Sequence, residues 1–198
     1  MTTNDVKPAQ ATKTDAILDA ATRHFSMHGF EVTKLSDIAK DAGVGVGTIY
    51  LRYEGKAELL GGVLDRAEQS FADAMNDPAI RDIPFPERFT AIISAIFKAA
   101  DRERDLARLM ALSAYASHAG AHETSHVLHA IKTHLQDGMD RNELRADVDL
   151  PLAARMAHGM VEGAMRAMMA EPARDPAAVI AQIAQASELW LCTPKPKG

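Results

Sequence analysis

The stretch 33–56, TKLSDIAKDAGVGVGTIYLRYEGK, constrains the fold of this chain more than any other part of it. Leu35, Ile38, Ala39 and Ala42 recur at helical spacing, so a short helix here has one apolar face. Thr33 precedes that face and is expected to cap its free N–H groups. Gly43 follows Ala42, at the point where a helix can end in a left-handed residue, and Val44 anchors the turn. A second short helix carries Ile49 inward, with Tyr53 four residues on. Ala39 is small, as the contact point of two steeply crossing helices must be.

This order of residues is the helix-turn-helix pattern, whose second helix lies in the major groove of DNA. A plain helical hairpin satisfies the same Ala–Gly–Ile spacing, so the flanking residues carry the decision. They are an Ile-Leu-Asp-Ala-Ala run from Ile17, Phe25, His28-Gly29-Phe30, Asp37-Ile38-Ala39, Ala42-Gly43-Val44, Gly47-Thr48-Ile49-Tyr50 and Lys56. Over 17–60 the chain resembles the DNA-binding domain of the tetracycline-repressor (TetR) family of bacterial transcription factors. The resemblance implies an all-α protein. A three-helix helix-turn-helix DNA-binding domain at 12–55 is followed by a larger helical effector-binding and dimerisation domain at 56–192, the fourth helix linking the two. A flexible arm (1–11) and a tail (193–198) flank them.

The rest of the chain is compatible with helices throughout. Of its 198 residues 47% are apolar, enough for a sizeable core, and aromatics are scarce while Ala and Met are abundant. Helical stretches are expected at about 12–28, 56–75, 86–97, 103–119, 122–139, 151–169 and 176–191, with loops at 76–86 and 142–150. In the first of these Ile17, Ala20, Ala21, Phe25 and Met27 or His28 form the inner surface. Gly120 separates 103–119 from 122–139. No apolar run reaches the length of a membrane span, and the N-terminal residues have no apolar signal core. The single cysteine, Cys192, excludes an internal disulfide. A cytoplasmic protein is expected, with no membrane partner.

The charge balance sets a condition on DNA binding. The net charge is −5, and residues 1–60 hold seven Lys or Arg against eight Asp or Glu. Phosphate neutralisation supplies much of protein–DNA affinity, so the cations must cluster on one face. The resemblance places Tyr50 on a phosphate, Thr48 on a phosphate or base edge, and Lys56 on a phosphate at the start of the fourth helix. A helix N-terminus suits that anion. Thr33, Val46, Gly47 and Arg52 complete the expected DNA surface. Two positions depart from the family's usual pattern: Gly45 stands where Ser or Thr is common, and Val46 where Lys, Arg or Pro is. No Arg, Asn or Gln fronts the second helix, so bidentate reading of guanine or adenine is absent there and the operator sequence is not legible. Val46 is placed to touch a thymine methyl. Glu54 adds negative charge near the expected phosphates.

The family resemblance also implies an effector pocket among the later helices. Phe71, Met75, Phe89, Ile93, Phe97, Met110, Tyr115, Met156 and Met160 are its candidate lining, since Met adapts to irregular apolar ligands. The last two helices are expected to form a two-fold dimer interface, with Gly159, Gly163 and Ala167 as a small-residue stripe facing Ile180, Ile183 and Trp190. His118, His122, His126, His129 and His134 have spacing that can ligate zinc, yet no Cys joins them; they read as solvated or pocket-lining, and no metal or cofactor is expected. No nucleophile–base pair or phosphate-cradling loop points to an enzyme. The expected function is a ligand-responsive regulator, most simply a repressor, that binds a palindromic double-stranded operator as a homodimer and is released by a small apolar or amphipathic effector. A helical ligand- or metal-binding protein whose hairpin no longer binds DNA remains the alternative, favoured by Gly45, Val46 and Glu54.

Overall fold

The computed structural model describes residues 12–113, 125–171 and 173–192, with only the backbone given at 111–113. Ten α-helices and no strand occur among the described residues. Two compact units divide the chain after Val63. The division falls inside a helix, eight residues beyond the position at which the sequence sets its own boundary.

The first unit contains α1 (Lys13–His28), α2 (Leu35–Asp41), α3 (Val46–Tyr50) and the opening turns of α4 (Lys56–Met75). Thr12 begins α1 with a reciprocal cap: its side chain accepts from the Asp15 N–H, and the Asp15 carboxylate accepts from the Thr12 N–H at 2.8 Å. The buried face of α1 is Ile17, Leu18, Ala20, Ala21, Thr22 and Phe25. Met27 and His28, one or the other of which is expected on that face, are both exposed, Met27 at 72%, because the helix ends at Gly29 with φ 82°. Ile38, Ala39 and Ile49 close the core where α2 and α3 cross, each at most 1% exposed. The turn between them relies on Gly43 at φ 68°, a left-handed conformation that side chains disfavour. Val44 N–H donates to Ala39 O at 2.9 Å and locks it. Tyr53 lies against Gly62 of α4, where a Cβ would come within 2.9 Å of the ring.

The second unit contains the remainder of α4 and six further helices: α5 (Pro78–Arg81), α6 (Glu87–Arg102), α7 (Arg104–Ser113), α8 (His126–Asp140), α9 (Leu150–Ala170) and α10 (Pro176–Leu191). Residues 76–86, expected as loop, therefore contain a helix. Asp77 caps it through the Ala79 N–H and Pro78 opens it, but four residues are too few to show periodicity. Ser125, Asp149 and Asp175 cap α8, α9 and α10 in the same manner. The stretches expected as an arm (1–11) and a tail (193–198), Gly120 and the end of the stretch expected helical to 119 lie outside the described residues.

Phe71, Met75, Phe89, Ile92, Ile93 and Ile96 anchor the core of this unit with Leu128, Ile131 and Leu135 of α8. Arg88 is buried among them at 0% exposed. Its guanidinium donates to the Ile83 carbonyl, Asp137 and Glu143, so α6, α8 and the segment after α8 share one charge network. The partners offset the cost of burying the cation.

Candidate functional site

The α2–turn–α3 hairpin sets out the candidate DNA surface, and α3 is its centre. With Ile49 directed inward at 0% exposed, helical geometry turns Gly47 and Leu51 to the opposite side, roughly 160° away, and leaves Val46 about 60° from Ile49. Burial agrees: Gly47 is exposed and Leu51 86% exposed, whereas Val46 and Thr48 are half-buried. Tyr50 stands at the flank, 57% exposed, and Arg52 follows, also exposed. Val46 was expected at the front of the helix; the outward crest belongs instead to Gly47 and Leu51. Sequence reasoning passed over Leu51, although its i+4 relation to Gly47 and opposition to Ile49 were available signals.

Thr33 does not play the part the sequence suggested. Lys34 is the residue at the N-cap of α2, without a side-chain cap. Thr33 is 4% exposed, and its hydroxyl donates back toward the end of α1, 2.7 Å from Gly29 O and 3.1 Å from His24 O. It holds the α1–α2 connection rather than presenting a hydroxyl to a ligand. Lys56 is also engaged: its Nζ donates to Glu31 O at 2.8 Å and sits 4.5 Å from the Phe30 ring centre. A phosphate approaching Lys56 therefore meets an ammonium already fixed in direction. Beside it the Glu58 carboxylate accepts from the Glu54 N–H, which places an acid at the start of α4. On the other side of the hairpin Asp41 is neutralised by Arg23 at 2.9 Å, while Lys34 and Lys40 are exposed.

In the second unit a broad groove is lined by Ala95 and Phe97 of α6, Met165, Met168 and Met169 of α9, and Ile180 of α10. Its volume of about 1620 Å³ exceeds the usual range for an enclosed ligand pocket, so it is an open cleft. Of the expected pocket residues, Phe97 lines it. Phe71, Met75, Phe89 and Ile93 are packed into the core at 3% exposure or less and present no free surface to it. Met110 and Met160 lean on that core half-buried, Met156 is 45% exposed on α9, and Tyr115 lies outside the described residues. Of the residues expected at a dimer interface, Gly159 is exposed, Gly163, Ala167 and Trp190 are half-buried, Ile183 is 9% exposed in the core, and Ile180 faces the groove.

The described histidines of α8 occupy three separate surroundings. His126 Nε2 meets Asp65 at 3.0 Å, His129 is exposed, and His134 is buried with its Nε2–H donating to Met75 O at 3.0 Å. They do not converge, and no set of three metal-ligating side chains occurs among the described residues. His118 and His122 lie outside them. Cys192 is no candidate nucleophile: burial, with Glu188, Glu87 and Glu143 nearby, pushes its thiol up to about 11.

A short exposed helix set across another by a glycine turn, on a three-helix core, is the architecture of helix-turn-helix DNA-binding proteins. Residues 17–63 match the sequence model described as bacterial regulatory proteins of the tetR family. The fatty acid metabolism regulator protein of Bacillus subtilis (strain 168) is 25% identical over 151 residues, covering 74% of this chain and 78% of that protein. The fold is also that of solved relatives. The transcriptional regulator FadR from Bacillus subtilis, in complex with stearoyl-CoA, superposes with a TM-score of 0.72 at 23% identity, covering 87% of this chain and 96% of that one. SmeT, the repressor of the Stenotrophomonas maltophilia multidrug efflux pump SmeDEF, gives 0.69 at 23% identity, covering 96% and 98%.

Proposed function

We propose that this protein is a cytoplasmic repressor that binds a palindromic operator as a homodimer and is released by an apolar or amphipathic small molecule. The observation that carries the DNA half is the exposed crest of α3 with Tyr50 and Arg52 beside it, inside a segment that matches a family of DNA-binding regulators. Tyr50, Thr48, Arg52 and Lys56 are assigned to the phosphates and the α3 front to the groove. The segment 12–55 serves DNA together with Lys56 at the start of α4, and the rest of 56–192 the effector and the partner subunit. Leu152, Met156 and Leu189 support a dimer through α9 and α10, since they leave large apolar side chains 45–77% exposed on those two helices. The groove supports the effector half: methionines and Phe97 offer it an adaptable apolar floor, and Lys98, Arg102 and Arg108 stand on its lining, which also carries Asp73, Asp77, Asp101 and Asp175, as cations for an anionic head. FadR, solved with stearoyl-CoA, suggests long-chain acyl-CoA as the first effector to try.

Sequencing the genomic fragments that the purified protein retains is the direct test. The expected result is an inverted repeat whose half-sites lie about 10 base pairs apart, centre to centre, or a multiple of this. Tyr50→Ala and Arg52→Ala should weaken binding to all retained fragments alike, and the Arg52 change should lower the salt slope by about one. Retention without sequence enrichment, or unchanged affinity in both variants, would refute the assignment of this surface.

A further inference from the structure

We infer that Leu51 is a base-contacting residue of this protein, reading the 5-methyl group of a thymine in the major groove by apolar contact. The inference rests on the DNA-binding reading above and adds to it the residue that discriminates sequence. Leu51 is 86% exposed, a large apolar side chain left in water at the C-terminal end of α3, between Tyr50 and Arg52. It continues α3 in helical conformation, with φ −68° and ψ −13°, and its N–H donates to Gly47 O at 3.0 Å. A helical side chain leans toward the N-terminus of its helix, so Leu51 covers the surface over Gly47.

Nothing among the described residues requires Gly47 to be glycine. A Cβ built there meets no atom within 4 Å, and the backbone of α3 is ordinary right-handed helix at this position. Glycine in a helix costs stability relative to alanine. The bare backbone does leave room for a neighbour outside the protein to approach the helix beside the Leu51 isobutyl group. Gly45, which precedes the helix, is equally open. The elements of a helix front that normally hydrogen-bond base edges, Arg, Asn and Gln, are missing from 45–51. Thr48 is half-buried and assigned above to a phosphate, so the most exposed side chain on the α3 crest is apolar, and the apolar feature of the major-groove edge is the thymine methyl. Leu51 is flanked by Tyr50 and Arg52, the residues assigned to phosphate, which continues the candidate interface on both sides.

The test uses the full-length protein and the best-retained duplex. Each thymine is replaced in turn by deoxyuridine, which removes the methyl and keeps every hydrogen-bonding group. At one thymine in each half-site the replacement should weaken wild-type binding on the order of tenfold, the lower range of losing one base contact. Leu51→Ala should weaken binding to the thymine duplex by a similar factor and bind the thymine and deoxyuridine duplexes equally. Leu51 is exposed, so the variant should keep the wild-type circular dichroism and melting temperature. Wild-type affinity in Leu51→Ala, or weaker binding that keeps its preference for thymine, would overturn the assignment of Leu51 while leaving DNA binding intact. Failure of the wild type to bind any duplex would overturn the DNA-binding reading and this inference with it.

Discussion

At the scale of single residues, the chain shows how one side-chain type serves different ends according to what surrounds it. His134 is 3% exposed, and burial holds its pKa below the ordinary 6.5; its bond to Met75 O opposes this, Arg88 and Arg81 push the same way as burial, and Asp137 opposes. The unfolded chain takes up this proton near 6.5, the folded chain only at lower pH. The contribution to stability is therefore complete above that value and drains away as pH falls below it. Urea unfolding at about pH 5 and about pH 7.5 should show the wild type losing more stability on acidification than His134→Gln, whose amide can still donate to Met75 O. Equal losses in the two proteins would show that His134 does not drive the acid sensitivity. In the sequence His134 was one of five spaced histidines, and spacing cannot separate a buried neutral ring from a solvated one. Thr33 shows the same limit. A threonine before a helix reads as a cap, yet the carbonyls ending the preceding helix compete for its hydroxyl, and in the structure they hold it.

At the scale of elements, whatever is long, periodic and capped was legible. The expected 176–191 is α10, and 12–28 differs from α1 by the capping residue. The stripe Phe89, Ile92, Ile93 and Ile96 places α6, but nothing beside Arg88 in the sequence marks it as buried, because the carboxylates that accompany it inside come from distant segments. Removing it strands those carboxylates. Arg88→Ala should cost about 3 kcal/mol, at the lower end for a broken buried pair because Asp137 is 40% exposed and water relieves part of its loss. Adding Glu143→Gln to Arg88→Met should recover part of the loss, since Glu143 then carries no unpaired charge and Asp137 keeps Arg141 at 3.1 Å. Equilibrium urea unfolding measures both changes; a loss under about 0.5 kcal/mol for Arg88→Ala would mean that the network does not tie α6 to α8. The missed helix α5 has a different cause. It is specified by Asp77 and Pro78 at its start, signals that serve a turn equally well.

At the scale of the whole molecule, the helical nature of both units was legible. The sequence breaks before Lys56 because a helix starts there, but α4 runs unbroken through Val63 into the second unit, and its apolar spacing does not change where the contacts do. That continuity gives the proposed regulation a physical carrier. Twenty residues of helix extend about 30 Å, with Lys56 at the first and Met75 at the last. In the second unit, α4 is tied to α8 at three points: Asp65 to the His126 ring, Glu68 to the His126 N–H, and Met75 O to His134. A ligand that favours a different placement of α8 must strain or break these ties, or carry α4 with it. Two reading helices of a dimer must fit successive major grooves about 34 Å apart, so a small change in their spacing lowers DNA affinity. Release follows only if the effector binds the DNA-free geometry more tightly, since equal affinity for both states shifts nothing. The coupling is then reciprocal: operator must weaken effector binding by the factor by which effector weakens operator binding. Calorimetric titration of stearoyl-CoA below its micellar range, with and without saturating operator, should show that factor as at least fivefold, or about 1 kcal/mol. Replacing His126 by Ala removes its ring's tie to Asp65 and should reduce the factor while leaving each ligand's affinity for the otherwise free protein nearly unchanged. Equal acyl-CoA affinity in the two titrations, with binding saturable at one site per subunit, would exclude this ligand as the releasing effector.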